Sequence, residues 1–97
     1  MKVIFFFFSE NDLEQIADFI AQDNPQRALS FILELEQKCL SIGGMPKAFP
    51  IVPELIELGI RRRVYQNYSI FFCITSGHIY IVRVLNSVMN YTALFES

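Results

Sequence analysis

Three prolines, Pro46, Pro50 and Pro53, divide this chain into two parts that cannot share one kind of secondary structure. No regular element survives prolines at that spacing, because each removes a backbone donor and fixes φ. Before them, apolar residues recur at helical spacing. After Gly59 they gather in runs of strand length. Helices followed by a series of strands point to an α+β fold. At 97 residues the chain has room for a single domain, 1–97, and not for two.

The first run, Val3 to Phe8, is continuously apolar, aromatic and β-branched, and it reads as a buried strand. It is too short for a membrane span. Ser9, Glu10, Asn11 and Asp12 follow at once, with no small-residue cleavage site, so it is not read as a signal peptide. Ser9 is placed to cap a helix. Glu10 and Asp12 would then lie in its first turn, where the helix dipole favours carboxylates. Leu13, Ile16, Ala17 and Ile20 mark one face of that helix, which should stop near Gln22.

Asn24-Pro25 restarts the chain: Asn caps, and Pro at the first helical position loses no hydrogen bond. Ala28, Phe31, Ile32, Leu35, Cys39 and Ile42 repeat at helical spacing, and Leu29, Leu33 and Leu40 widen the stripe. A wide stripe suits a helix packed on both a sheet and a neighbouring helix. Gly43-Gly44 should end it, and the short link before it makes an antiparallel helical hairpin. Phe49, Ile51 and Leu55 are expected to pin the proline-rich connection to the body.

Three strands follow, at about Ile60–Tyr65, Tyr68–Thr75 and Ile79–Asn86. Gln66-Asn67 and Ser76-Gly77 sit between them as turns, so the three strands form an antiparallel sheet. The tail from 87 to 97 fits either an extended segment or one short helical turn.

The net charge of −2 gives no general attraction to nucleic acid or an anionic membrane. Its distribution is uneven. Every acid except Glu96 precedes residue 60, whereas Arg61, Arg62, Arg63 and Arg83 follow it. The hydrophobic fraction is 53%, with ten Phe, although a chain this small keeps much of its surface in water. Either the core is unusually aromatic or some apolar surface belongs to an interface.

Catalytic groups are scarce. His78, the single histidine, lies beside the Ser76-Gly77 turn, where a histidine is ordinarily solvated. The acids fall on the helices or in the proline-rich connection, and Glu34 and Lys38 form the i,i+4 pair of a solvated helix face. No Gly-rich loop opens a helix. Cys39 and Cys73 belong to no metal-ligand spacing and read as buried free thiols. No catalytic residue, metal or cofactor is assigned, and binding is favoured over catalysis.

The basic strand residues stand out. Alternation sends Arg61, Arg63 and Tyr65 to one face of a strand and Arg62 to the other. With Arg83, Tyr65, Tyr68 and Tyr80 they make a basic, aromatic surface. Three readings stay open: a solvated sheet face paired to helix acids, a protein-binding surface, or an RNA surface.

The order of these pieces resembles a known family. It runs from the apolar strand to Ser9-Glu10-x-Asp12-Leu13-x-x-Ile16-Ala17-x-Phe19-Ile20, then Asn24-Pro25-x-x-Ala28-x-x-Phe31, Leu35 and Pro46. Pro53-Glu54-Leu55, Ile60-Arg61, Tyr68-x-Ile70-Phe71-Phe72 and Ile81-Val82-Arg83-Val84-Leu85 complete it. The chain is similar to the ParE branch of the ParE/RelE toxins of type II toxin–antitoxin modules. The resemblance implies a strand–helix–helix–three-strand fold in a bacterial cytoplasmic protein. It implies neutralisation by a cognate antitoxin encoded next to it, oligomerisation through that complex, and DNA gyrase as the target. The hydropathy and the net charge, read apart from the resemblance, favour neither a membrane partner nor direct nucleic-acid binding. The alternatives are a RelE-like ribosome-dependent mRNA endoribonuclease and a non-toxic relative that only binds antitoxin. The residues marked for target or antitoxin binding are Arg61, Arg62, Arg63, Tyr65, Tyr68, Arg83, Asn86, Met89, Asn90 and Tyr91. ParE-like sequences continue after the last strand as Val-Leu-His-Gly-x-Arg-Asp. Here Asn86, Met89 and Asn90 stand where His, Arg and Asp are usual, so three ionisable positions are neutral.

Overall fold

In the computed structural model, which describes residues 1–95, seven elements follow in order. They are β1 (Lys2–Phe5), α1 (Phe7–Ala21), α2 (Pro25–Ser41), β2 (Arg61–Tyr65), β3 (Tyr68–Thr75), β4 (His78–Asn86) and α3 (Thr92–Phe95). The four strands make one sheet in the order β1-β4-β3-β2. The β2–β3 and β3–β4 pairs are antiparallel hairpins, whereas β1 joins β4 in parallel. The α+β architecture is the expected one. In the tail, one helical turn forms at Thr92–Phe95, and Glu96 and Ser97 lie outside the described residues.

The helical hairpin covers one face of the sheet. Leu13 and Ile16 of α1 and Phe31, Leu35 and Cys39 of α2 meet Ile70, Phe72, Ile79, Ile81 and Val84 there. On the opposite face, Phe71 and Leu85 are covered by Val52, Leu55 and Ile60, with Tyr91 and Phe95 of the tail packed beside them.

The N-terminal aromatic run does not stay a strand. Phe6 continues the ladder by one bond, its N–H donating to Ile81 O at 3.0 Å, and α1 starts at Phe7. An apolar run fits either element locally. The chain leaves the sheet here because α1 must cross its face to bury Leu13 and Ile16. Ser9 is therefore not the cap. It is buried inside the first turn, where its Oγ donates to Phe6 O at 2.7 Å, and Phe6 holds the cap position with no side-chain bond. Asp12 likewise lies beyond the first turn, which holds only Glu10 among the acids. Phe6, Phe7 and Phe8 end up exposed, Phe7 by 75%.

Helix α2 begins as its sequence dictates: the Asn24 side chain accepts from Arg27 N, with Pro25 first in the helix. Its stripe is narrower than expected, because Leu29, Leu33 and Leu40 face outward and are exposed. The helix gives way to a 3₁₀ turn at Ile42–Gly44. Gly43 is needed there for space, not for a left-handed φ. A Cβ on it would lie 2.5 Å from Met1 O, while the Met1 amino group donates to Gly43 O at 2.8 Å. Gly43→Ala should push β1 from its seat and lower stability by about 1–3 kcal/mol, the usual range for overpacking. A thermal melt checks this, and an unchanged midpoint would show that the N-terminus moves aside freely.

The proline-rich connection is more regular than expected. It holds 3₁₀ turns at Pro46–Ala48 and Pro53–Leu58, and Ile51 makes an isolated bridge to Arg61. Leu55 is buried and Phe49 meets Phe72 edge-on, as anticipated. Ile51 is 37% exposed, and Val52 takes the buried place instead.

A bulge in β4 decides where Arg83 points. Phe71 pairs with Arg83 but Phe72 pairs with Ile81, leaving Val82 as an extra residue. One added residue reverses the alternation beyond it. Ile79, Ile81 and Val84 thus all enter the core under the helices, and Leu85 turns to the other face.

Candidate protein-binding surface

The basic residues of β2 divide as alternation requires, but most are engaged within the molecule. Arg61 Nη1 donates to Phe49 O at 2.7 Å. Arg63 Nη1 donates to Lys38 O at 2.8 Å and Ser41 Oγ at 2.7 Å, capping the C-terminal end of α2, where the helix dipole favours a cation. Tyr65 OH donates to Glu34 Oε1 at 2.6 Å, and Arg27 bonds the other oxygen of that carboxylate at 2.6 Å. Tyr65 also stacks on Phe31. Arg63 and Tyr65 thus tie the sheet edge to α2, and Arg61 ties it to the proline-rich connection.

The Arg27 bond and then the Tyr65 bond hold the Glu34 carboxyl below its ordinary range. A depressed carboxylate pKa gives stability that is present above the ordinary value and lost as pH falls through the folded one. Glu34→Gln should therefore flatten the acid limb of the stability profile between about pH 5 and pH 3. Melts at several pH values measure this, and an acid limb as steep as that of the parent protein would contradict it.

Arg83 is held most firmly. Its Nε and Nη2 both donate to the buried Asp12 carboxylate at 2.8 Å, and Val84 N adds a third bond at 2.9 Å. This bidentate pair raises the Arg83 pKa and ties α1 to the β4 bulge. The guanidinium also lies 5.7 Å from the centre of the Phe8 ring.

Arg62 differs from these. On the other face of β2, its Nε donates to the buried Ser69 Oγ at 2.8 Å, and Ser69 bonds Ser87 at 2.9 Å. Its terminal nitrogens have no hydrogen-bond partner among the described residues, and it lies 5.6 Å from the centre of the Tyr91 ring.

The structure gathers three candidates at the end of β4. Tyr68, Asn86 and Met89 line a shallow cleft of 240 Å³ against Gln15, Ile16 and Phe19 of α1. Burial raises the Tyr68 pKa. Asn86 Oδ1 accepts from Val88 N at 3.0 Å, and Asn90 accepts from Thr92 Oγ1 at 2.7 Å, so both amides shape the tail turn. Met89 and Val88 are exposed, Val88 by 93%. Sequence reasoning missed Phe8 and Phe19, which extend this surface. The signal was present: Phe8, Asp12, Gln15 and Phe19 share one helical face, and both Phe residues point outward. Arg61, Arg63 and Tyr65 do not reach this cleft.

A family model for the ParE toxin of the type II toxin–antitoxin system parDE matches residues 9–91. This chain belongs to the ParE toxin family. Among solved structures, it is similar to a chain of the chromosomal ParDE TA system from P. aeruginosa, with a TM-score of 0.74 and 18% identity. The match covers 89% of this chain and 95% of that one. No curated protein matches in sequence.

For a ParE-family chain the inventory of reactive groups is short. His78 opens β4 with its Nδ1 at 3.0 Å from Ser76 O. Cys39 is buried, and desolvation pushes its thiol up to about 12. Cys73 is only half-buried, not fully buried as expected. Among the described residues no cluster of His, Cys, Asp or Glu could hold a metal, and no helix is long and apolar enough to cross a membrane.

Proposed function

We propose that this ParE-family chain acts as one unit, a bacterial cytoplasmic toxin that is neutralised by a cognate antitoxin and inhibits DNA gyrase. One observation carries the preference for protein binding over RNA chemistry. Arg61, Arg63 and Arg83 are engaged in internal bonds, while Phe7, Phe8, Phe19, Leu29 and Leu33 are exposed. Large apolar side chains in water at this density suit protein interfaces. Cleaving RNA without a metal needs stabilised phosphate charge and a proton relay. Met89 supplies neither.

Expressing the chain alone in bacteria should arrest growth, induce DNA-damage signalling and leave transcripts intact. Purified protein should inhibit gyrase supercoiling, and co-expression of the neighbouring reading frame should restore growth. Transcript cleavage on ribosomes would overturn the gyrase reading. Normal growth at confirmed soluble expression would overturn toxicity itself.

Asn86, Met89 and Asn90 support a second reading, in which antitoxin binding persists and toxicity is lost. The triple variant Asn86→His, Met89→Arg, Asn90→Asp should then arrest growth where the parent does not. No gain of toxicity would exclude these positions as what was lost.

A further inference from the structure

The tail after β4 rests on the body in an unusual way. Ser87 N–H donates to Asn67 O at 2.8 Å, and Val88 N and Met89 N bond back to Asn86 at the end of β4, each at 3.0 Å. From residue 90 onward the hydrogen bonds among the described residues, Thr92 to Asn90 and Leu94 to Tyr91, stay within the tail. Docking is left to two rings. Tyr91 lies 4.8 Å and Phe95 5.5 Å from Phe71, centre to centre. Under them Phe71 is fully buried, in one cluster with Leu55 and Leu85. Tyr91 also lies against the Arg62 guanidinium, whose terminal nitrogens have no hydrogen-bond partner among the described residues.

We infer that residues 90–95 form a displaceable strap over a second interaction surface. Its partner is an extended acidic segment with aromatic side chains from another protein. Two arguments fix that chemistry. The face already accepts aromatic rings, and two such contacts are worth about 0.5–1.5 kcal/mol each beyond the area they bury. Once Tyr91 leaves, Arg62 stands open beside the apolar floor, held at Nε by Ser69 and free to take a carboxylate on its outer nitrogens. A strap held by side chains alone opens at far lower free energy than the sheet beneath it. This surface lies on the opposite side of the sheet from the helical hairpin, and its use does not depend on gyrase being the target.

The chain's own tail supplies the probe. A fluorescent peptide spanning residues 90–97 should bind in trans to the full-length Tyr91→Ala, Phe95→Ala variant. It should bind the parent at least tenfold more weakly, because the tethered strap competes at high effective concentration. Adding Arg62→Gln to the variant should weaken peptide binding several-fold. Equal binding to parent and variant, or no binding to a folded variant, overturns the strap. Binding indifferent to Arg62→Gln overturns the acidic character of the partner. If the variant does not fold, hydrogen exchange on the parent decides. Strap amides should exchange readily while β3 amides stay protected, and equal protection refutes the idea.

Discussion

Asp12→Ala is expected to lower stability by about 3 kcal/mol, near the lower end of what removing one partner from a buried ion pair costs. For a domain of this size that corresponds to a fall of roughly 12–24 °C in melting temperature. The effect is large because Asp12 does three jobs at once. It accepts two bonds from Arg83 and one from Val84 N, and its loss strands a buried backbone donor. The low end applies because Arg83 keeps partial access to water, which softens the penalty of an unpaired charge. Arg83→Ala should cost less than Asp12→Ala, and the double variant should cost less than the two together. Calorimetric or circular-dichroism melts of the four proteins form the cycle. Strict additivity would mean that the bonds seen here carry no coupling.

Phe31→Ala is expected to cost about 3–5 kcal/mol, as for other large aromatic truncations in a core. Phe31 is buried at the centre of an aromatic group, with Tyr65 at 6.0 Å, Tyr68 at 5.6 Å and the Arg27 guanidinium at 5.0 Å. Its removal should also let water reach Tyr68. Burial is what raises the Tyr68 pKa, so titration of that phenol should move back down toward the ordinary tyrosine range. Denaturant unfolding tests the first effect and ultraviolet titration the second. Phe31→Leu, which keeps most of the apolar volume, should cost much less. A Tyr68 titration that does not move would show that α1, not Phe31, shields it.

Local signals made much of the fold legible. Asn24-Pro25 starts α2 by capping chemistry that acts within four residues, and Gln66-Asn67 and Ser76-Gly77 turn the chain between β2, β3 and β4. What escaped depended on distant partners. Nothing within Val3–Phe8 says where strand yields to helix, because that point is set by how α1 must cross the sheet. The bulge at Val82 is invisible to alternation, since its reason lies across the sheet and in Asp12. The candidate surface shows the same divide. Arg61, Arg63 and Arg83 were conspicuous as residue types, yet their partners sit on α2, the proline-rich connection and α1. Charge in a sequence does not reveal whether it is already matched. Phe8 and Phe19 were overlooked for other reasons: Phe8 was read into the buried strand Val3–Phe8, and Phe19 lies off the helix face marked by Leu13, Ile16, Ala17 and Ile20.

The parallel pairing of β1 with β4 has a consequence for how this chain is made. The first strand synthesised waits for the last, Lys2 opposite His78, and β4 sits inside the sheet between β1 and β3. At ordinary synthesis rates of about 5–20 residues per second, the aromatic N-terminus is exposed for several seconds before its partner strand exists. A nascent chain that stops short of β4 has only the β2–β3 hairpin to build on. Completion of the sheet is thus deferred until β4 has been made, and until then the apolar side chains of β1 stay open to other contacts.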